Sequence, residues 1–181
     1  MTYPFRTITP IRTYEQLEND YRKYKKYLAK DFHNRCGYTN CSDHWFGGQR
    51  TFHIDHLKPH SIYPELKNEY SNLVYCCSYV NIAKSNDDND NYLDPCTHDY
   101  NTHFERDRYG AIHAKTPQAE YMIKRMHLNL QRYAIAWSLD QIESRIERLK
   151  KIESKGQETH CIYVQTLELY INYIKKLRYT I

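Results

Sequence analysis

The sequence contains no apolar run long enough to cross a membrane, because no stretch approaches the roughly 18 consecutive apolar residues that a spanning helix requires. Its first residues also lack the apolar centre of a signal peptide. Glycine and proline are scarce, with five and six residues, and there is no internal repeat, which excludes a fibrous or low-complexity chain. We therefore expect a soluble, cytoplasmic, globular protein with no membrane partner.

Phenylalanine and tryptophan are also scarce, with five and two residues, whereas tyrosine occurs 19 times among 181 residues. A tyrosine buries its ring and offers a hydroxyl, so we expect most of them to serve in packing. Lysine and arginine number 26 against 22 acidic residues, and this net charge of +4 permits a nucleic-acid partner without requiring one. Six cysteines without an export signal are better interpreted as thiols or metal ligands than as disulfides.

The length predicts a single domain over 1–181, which we divide into three segments. An amphipathic helix is predicted over 14–33, where Thr13 and Gln16 form a capping-box pattern. One face of this helix is basic and is a candidate contact for phosphates: Arg22, Lys23, Lys25, Lys26 and Lys30.

The second segment, 34–91, is rich in cysteine, histidine, asparagine and aspartate, and it contains short β-like runs and a predicted short helix at Ser78–Lys84. The third segment, 92–181, is a predicted helical extension. The overall prediction is an α+β fold that is mostly helical, with a compact site module between an N-terminal helix and a C-terminal helical bundle.

The helical extension carries recognisable start and stop signals. Thr116-Pro117 is typical of a helix start, and a break is predicted near 127–129. A further helix continues to about Glu153, where Lys155-Gly156 is a stop signal, and a last helix is predicted over about 158–178.

The candidate catalytic and metal-binding residues lie in two short runs of the middle segment. An Asp-His pair at 55–56 leads into a hydrophobic residue, one further residue and Pro59, and an Asn-Leu pair follows at 72–73. Asn81 comes nine residues after Asn72, and Lys84 three residues later. In this order and spacing the sequence resembles the HNH endonucleases, whose ββα-metal fold is a hairpin followed by a helix around one divalent cation.

Hydrolysis of a phosphodiester requires a base for water and positive charge at the phosphoryl and leaving oxygens. His56 suits the first task, since a neutral imidazole titrates near operating pH. Asp55 and Asn81 supply the oxygen ligands that Mg²⁺ or Mn²⁺ prefers, and they share one site with His56 only if the strand ends or bulges there. The resemblance implies that Asn72 holds the hairpin loop so that the histidine is oriented.

Two further side chains are candidate substrate contacts in this segment. Lys84 lies one helical turn after Asn81 and is a candidate for a phosphate contact. His53 lies two residues before Asp55, on the same strand face, and is a candidate ligand or phosphate contact. A lone histidine is also commonly a surface residue, and that alternative stays open for His53.

Many HNH proteins add a structural zinc held by two cysteine pairs. Cys36 and Cys41 have the spacing of a first pair, and Cys77 lies where the second pair should begin. The expected fourth position is Val80, which cannot bind a metal. Cys76 should face away from Cys77 in an extended segment, and we expect it to pack. The candidates for a fourth zinc ligand are Cys96, His98 and His44. Without one, the cysteines are small buried groups.

Looser similarity downstream resembles the small HNH proteins encoded beside an ATPase in bacterial anti-phage systems, of the Septu type or associated with retrons. That resemblance implies a DNA-cleaving effector controlled by a partner ATPase. An exposed apolar face on the last two helices would favour a protein partner or an oligomer.

Two alternatives belong to other classes. One is a non-catalytic, zinc-stabilised adaptor that binds nucleic acid or protein. The other is a hydrolase with Cys76 or Cys77 as nucleophile, for which no orienting group is apparent.

Overall fold

The computed structural model describes residues 2–152 and 156–180. It confirms the α+β class: about half of the chain is helical, and the strands form small antiparallel sheets. The described residues form two compact units, the first from 2–108 and 112–129, the second from 109–111, 130–152 and 156–180.

The first unit contains most of the elements. Its helices are α1 Lys25–Asp31, α2 Ser78–Lys84, α3 Tyr100–His103 and α4 Pro117–Met126. Its strands are β1 Tyr3–Pro4, β2 Phe52–His56, β3 Leu73–Cys77, β4 Phe104–Arg106 and β5 Ile112–Ala114. Strands β1, β4 and β5 form one sheet, and β2 pairs with β3 in the other. The extension predicted as helical therefore also contains two short strands.

The second sheet is a regular antiparallel hairpin, with Phe52 opposite Cys77 and His56 opposite Leu73. Every residue of β3 is buried, as a continuous apolar run favours. Helix α2 follows β3 without an intervening loop, and its bounds confirm the short helix predicted at Ser78–Lys84. The order is therefore strand, strand, helix, with α2 packed on the hairpin.

The helix predicted over 14–33 is much shorter in the structure. A 3₁₀ turn at Tyr21–Tyr24 leads into α1, and the residues between Thr13 and Asp20 are not helical. Thr13 does not cap a helix here, since its backbone N–H and its hydroxyl both donate to the carboxylate of Asp31, at 2.7 and 2.6 Å. These long-range bonds give the segment better partners than a local cap, which explains the difference.

The signals for α4 are confirmed. The Thr116 hydroxyl accepts a hydrogen bond from the N–H of Ala119, and Pro117 occupies the first turn. His127 adopts a left-handed conformation and ends the helix, which confirms the predicted break.

The second unit is built on α5 Gln131–Lys150 and α6 Gln157–Tyr179, which pack against each other. The predicted stop at Lys155-Gly156 and the helix end at Glu153 lie at residues 153–155, outside the described residues, apart from Gly156, which precedes α6.

Tyrosines fill much of the interior, as the sequence predicts. Five of them are completely buried: Tyr24, Tyr38, Tyr75, Tyr100 and Tyr133. None of the helices in the described part of the chain combines the length and the apolar composition of a membrane span.

Candidate functional site

Asp55 and His56 are the last two residues of β2, and they have different surroundings. The Asp55 carboxylate contacts Tyr38 and Lys84, whereas the His56 ring contacts Tyr21, His60 and the carbonyl of Lys67. Neighbouring strand residues point to opposite faces, and β2 pairs with β3 without a bulge up to His56. The structure therefore separates the two side chains, although the strand ends at His56.

The Asp55 carboxylate is inside the protein, with an exposed fraction of 3%. The Tyr38 hydroxyl donates to its Oδ2 at 2.6 Å, and the Lys84 ammonium lies 3.3 Å from its Oδ1. Burial raises the pKa of this carboxyl above its ordinary value, although Lys84 and Tyr38 oppose the shift. Both carboxylate oxygens thus already have partners within this chain.

Lys84 is completely buried, and its ammonium is directed inward. It donates to the carbonyl of His56 at 2.7 Å in addition to its contact with Asp55, and it lies 5.1 Å from the centre of the Tyr92 ring. This side chain was predicted to contact a phosphate. In the structure it connects α2 to the end of β2.

The His56 imidazole has an exposed fraction of 6%, and its Nε2 lies 2.9 Å from the Lys67 carbonyl oxygen. A carbonyl oxygen can only accept a hydrogen bond, so Nε2 carries the hydrogen and Nδ1 of the neutral ring keeps its lone pair. Burial lowers the pKa of His56, and the charges of His60 and Lys84 lower it further, while the Lys67 carbonyl opposes them. The ring is therefore favoured in its neutral, proton-accepting form.

Asn72 holds the loop between the two strands. Its Oδ1 accepts from the N–H of Lys58 at 2.8 Å, and its Nδ2 donates to the carbonyls of Lys58 and Leu66, at 2.9 and 3.3 Å. Its own carbonyl accepts from the N–H of Leu57 at 2.8 Å. The loop that carries Lys67 is therefore fixed at both ends relative to His56.

Asn81 of α2 and His53 of β2 come together at a more exposed position. Asn81 Nδ2 lies 3.2 Å from His53 Nδ1, and burial, together with the charge of Lys25, lowers the pKa of His53. No hydrogen bond between described residues joins this pair to Asp55 or to the His56 ring.

The Asp55 carboxylate already pairs with the Lys84 ammonium, so it is not free as it stands to bind a divalent cation together with Asn81. A cation at Asp55 would meet the ammonium of Lys84 at the same carboxylate. Within residues 2–152 and 156–180, no three histidine, cysteine, aspartate or glutamate side chains group so as to hold a metal ion. The sequence prediction of Mg²⁺ or Mn²⁺ at these residues stays a prediction.

The predicted zinc ligands Cys36, Cys41 and Cys77 are all buried. Cys36 and Cys41 close a tight turn in which the Cys36 N–H donates to the Cys41 carbonyl at 2.9 Å. The next residue, Gly37, donates to the Tyr75 carbonyl at 2.8 Å and thereby joins this turn to β3. The zinc site also stays a prediction.

Cys76, the remaining cysteine of β3, and Cys96, a candidate fourth zinc ligand, both have raised thiol pKa values. Cys76 is completely buried, and burial, with nearby Asp55 and Cys36, raises its thiol pKa well above the ordinary value. Burial raises the thiol pKa of Cys96 to about 12. Cys76 therefore packs in the interior, as the sequence predicts.

Sequence reasoning missed the groups that surround His56. Lys67 acts through its main-chain carbonyl, for which a sequence carries no signal. Tyr21 was assigned to a helix, yet its ring lies edge-on to His56 at 4.7 Å between centres. His60 is exposed, and its ring lies 4.5 Å from that of His56. Only the four-residue spacing of the two histidines could have indicated the last contact.

The chain matches no protein-family model, no curated protein and no solved structure.

Proposed function

We propose that this protein is an HNH-type endonuclease that hydrolyses DNA phosphodiester bonds with His56 as general base. The observation that carries the proposal is the bond between His56 Nε2 and the Lys67 carbonyl, which leaves Nδ1 as the proton acceptor. The Asn72 bonds that fix the loop, and the order strand, strand, helix, support it as well.

In the proposed reaction His56 performs one step, the removal of a proton from water. Its Nδ1 takes a proton from a water molecule while the water oxygen attacks phosphorus, and the P–O3′ bond breaks in line with the attack. The departing O3′ oxyanion takes a proton from solvent, so the products carry a 5′-phosphate and a 3′-hydroxyl. The Lys67 carbonyl remains hydrogen-bonded to Nε2–H and stabilises the imidazolium that forms.

The proposal retains two expectations from the resemblance, a requirement for Mg²⁺ or Mn²⁺ and control by a partner ATPase in anti-phage defence. Because Lys84 already neutralises Asp55, we assign no step to the cation.

The test is incubation of purified protein with plasmid DNA and Mg²⁺ or Mn²⁺, alone and with any ATPase encoded next to it. We expect nicking or cutting that disappears with a chelator and in His56→Ala. The matched control is His113→Ala, which changes an exposed histidine of the same unit and should cleave like wild type. Equal cleavage by His56→Ala and wild type would overturn the role of His56.

A second candidate is a non-catalytic adaptor that binds nucleic acid or protein. The internal neutralisation of Asp55 by Lys84 favours it, since a catalytic metal ligand has no need of a buried ammonium. DNA binding without cleavage in every arm of the same experiment would select the adaptor.

A further inference from the structure

A cavity of about 360 Å³ is lined in part by residues that contact the His56 ring. Its walls are Asn19–Arg22 on one side and His60, Lys67 and Asn68 on the other. Three of these residues contact the His56 ring: Tyr21 and His60 through their rings and Lys67 through its carbonyl. The cavity is therefore next to the proposed base and on the opposite side of β2 from Asp55.

The two walls are joined by one side-chain amide. Asn68 Oδ1 accepts from the N–H of Tyr21 at 3.0 Å, and Asn68 Nδ2 donates to the carbonyl of Asn19 at 3.2 Å. The cavity is thus formed before any ligand binds, as is usual for binding sites, and its volume lies within their range of about 300–1,000 Å³.

The charges on the walls favour an anion. Arg22 is paired with Asp20 at 2.8 Å, which cancels both charges. The ammonium of Lys67 makes no ion pair within the part of the chain that the structure describes, so it is available to a ligand. His60 adds a ring N–H that can donate to a phosphate oxygen.

We propose that this cavity binds the nucleotide next to the scissile phosphate of a DNA strand, with the Lys67 ammonium and the His60 imidazole on its phosphate. The proposal rests on the proposed function and adds the position of the substrate. The volume suits a nucleotide unit better than a lone phosphate, and the contacts with His56 place the adjoining phosphodiester beside the base. Lys67 thereby takes the phosphate-binding role that the sequence assigned to Lys84.

The test is metal-free binding, measured by fluorescence anisotropy of a short fluorescein-labelled DNA duplex in the presence of EDTA. We expect Lys67→Gln and His60→Gln to bind DNA several-fold more weakly than wild type. Lys67→Gln should also reduce the slope of log K against log salt by about 1, as loss of one phosphate contact requires. The substitution retains the main-chain carbonyl that holds His56.

The matched control is Lys124→Gln, which removes an exposed lysine from α4 in the same unit and should keep wild-type affinity. Thermal unfolding of each variant establishes that it is folded. The proposal is overturned if folded Lys67→Gln and His60→Gln bind DNA as Lys124→Gln does. It is also overturned if Lys67→Gln weakens binding of a mononucleotide competitor but not of DNA.

Binding and cleavage separate the two proposals. If wild type binds DNA through Lys67 and His60 but never cleaves, the cavity is a DNA-binding site and the nuclease assignment fails. If wild type cleaves while both variants bind and cleave normally, only the cavity assignment fails.

Discussion

The buried ammonium of Lys84 holds the C-terminal end of β2 in place through two contacts. It touches the Asp55 carboxylate and the His56 carbonyl, and so it connects two residues whose side chains face opposite ways. Removing a buried charge from its partner is costly, because the remaining ion can neither hydrate nor pair. Lys84 is therefore a positioning residue for His56 in this structure.

Lys84→Met should lower the free energy of unfolding by about 3–5 kcal/mol, because it leaves the Asp55 carboxylate buried without a cation. Asp55→Asn combined with Lys84→Met should restore part of that loss. Urea unfolding of the two single variants and the double variant measures the coupling. Strictly additive changes would show that the pair is not coupled, and Lys84 would then be free for another role.

At the scale of elements, the end of α2 is held by the segment that follows it and by α4. Arg125 of α4 donates to the carbonyls of Ala83 and Lys84, which the helix itself leaves without partners. The Asp87 carboxylate in turn accepts from Arg125 Nε at 3.2 Å. Helix α2 therefore depends on tertiary contacts for its C-terminal end.

The contribution of Asp87 to the stability of the protein depends on pH. Burial alone would raise the pKa of its carboxyl, but hydrogen bonds from Tyr121 and Tyr92 and the charge of Arg125 outweigh it and hold the pKa below its ordinary value. A lowered carboxyl pKa contributes stability above the unfolded value of about 3.9, and that contribution is lost as pH falls through the folded pKa.

Asp87→Asn should therefore destabilise the protein at pH 7, and its deficit relative to wild type should shrink as the pH is lowered below about 4. Urea unfolding at a series of pH values measures this difference. Asp90→Asn is the matched control, since the Asp90 side chain is fully exposed. A deficit for Asp87→Asn that stays constant with pH would contradict the assignment.

Local sequence patterns predict the C-terminal part of the helix 14–33 correctly but not its N-terminal part. Residues 25–31 are helical as predicted, and their apolar side packs in the core through Leu28. Thr13 and Gln16 match a capping box, yet Thr13 binds Asp31, 18 residues away in the sequence. A pattern within a few residues cannot report a partner at that separation.

At the scale of the whole molecule, the described residues divide into two units whose contacts are mostly internal. Residues 109–111 belong with the second unit because Gly110 lies against Trp137: a Cβ there would be 2.6 Å from the Trp137 ring. Helices α5 and α6 supply most of that unit, with Leu139 completely buried.

Leu139→Ala should destabilise the second unit by about 2–5 kcal/mol, because it leaves a cavity in its core. In hydrogen-exchange mass spectrometry we expect faster exchange over α5 and α6 and unchanged exchange over Phe52–Lys84. Leu169→Ala, at an exposed position of α6, should change little. Faster exchange across both units in Leu139→Ala would show that they unfold together.

Local patterns in the sequence predict the α+β class, the short helix at Ser78–Lys84, the start of α4 at Pro117 and the set of polar residues in the middle segment. Each of these depends on neighbours within a few residues, through periodicity, capping or spacing. Long-range contacts in the folded chain settle which side chains meet: Lys84 with Asp55 in the interior, Asn81 with His53, and His56 with Lys67, Tyr21 and His60. Strand alternation fixes the side of the sheet that a residue faces. The partner that it meets there belongs to a segment distant in the sequence and is often a main-chain carbonyl, so a pattern of side chains cannot predict it.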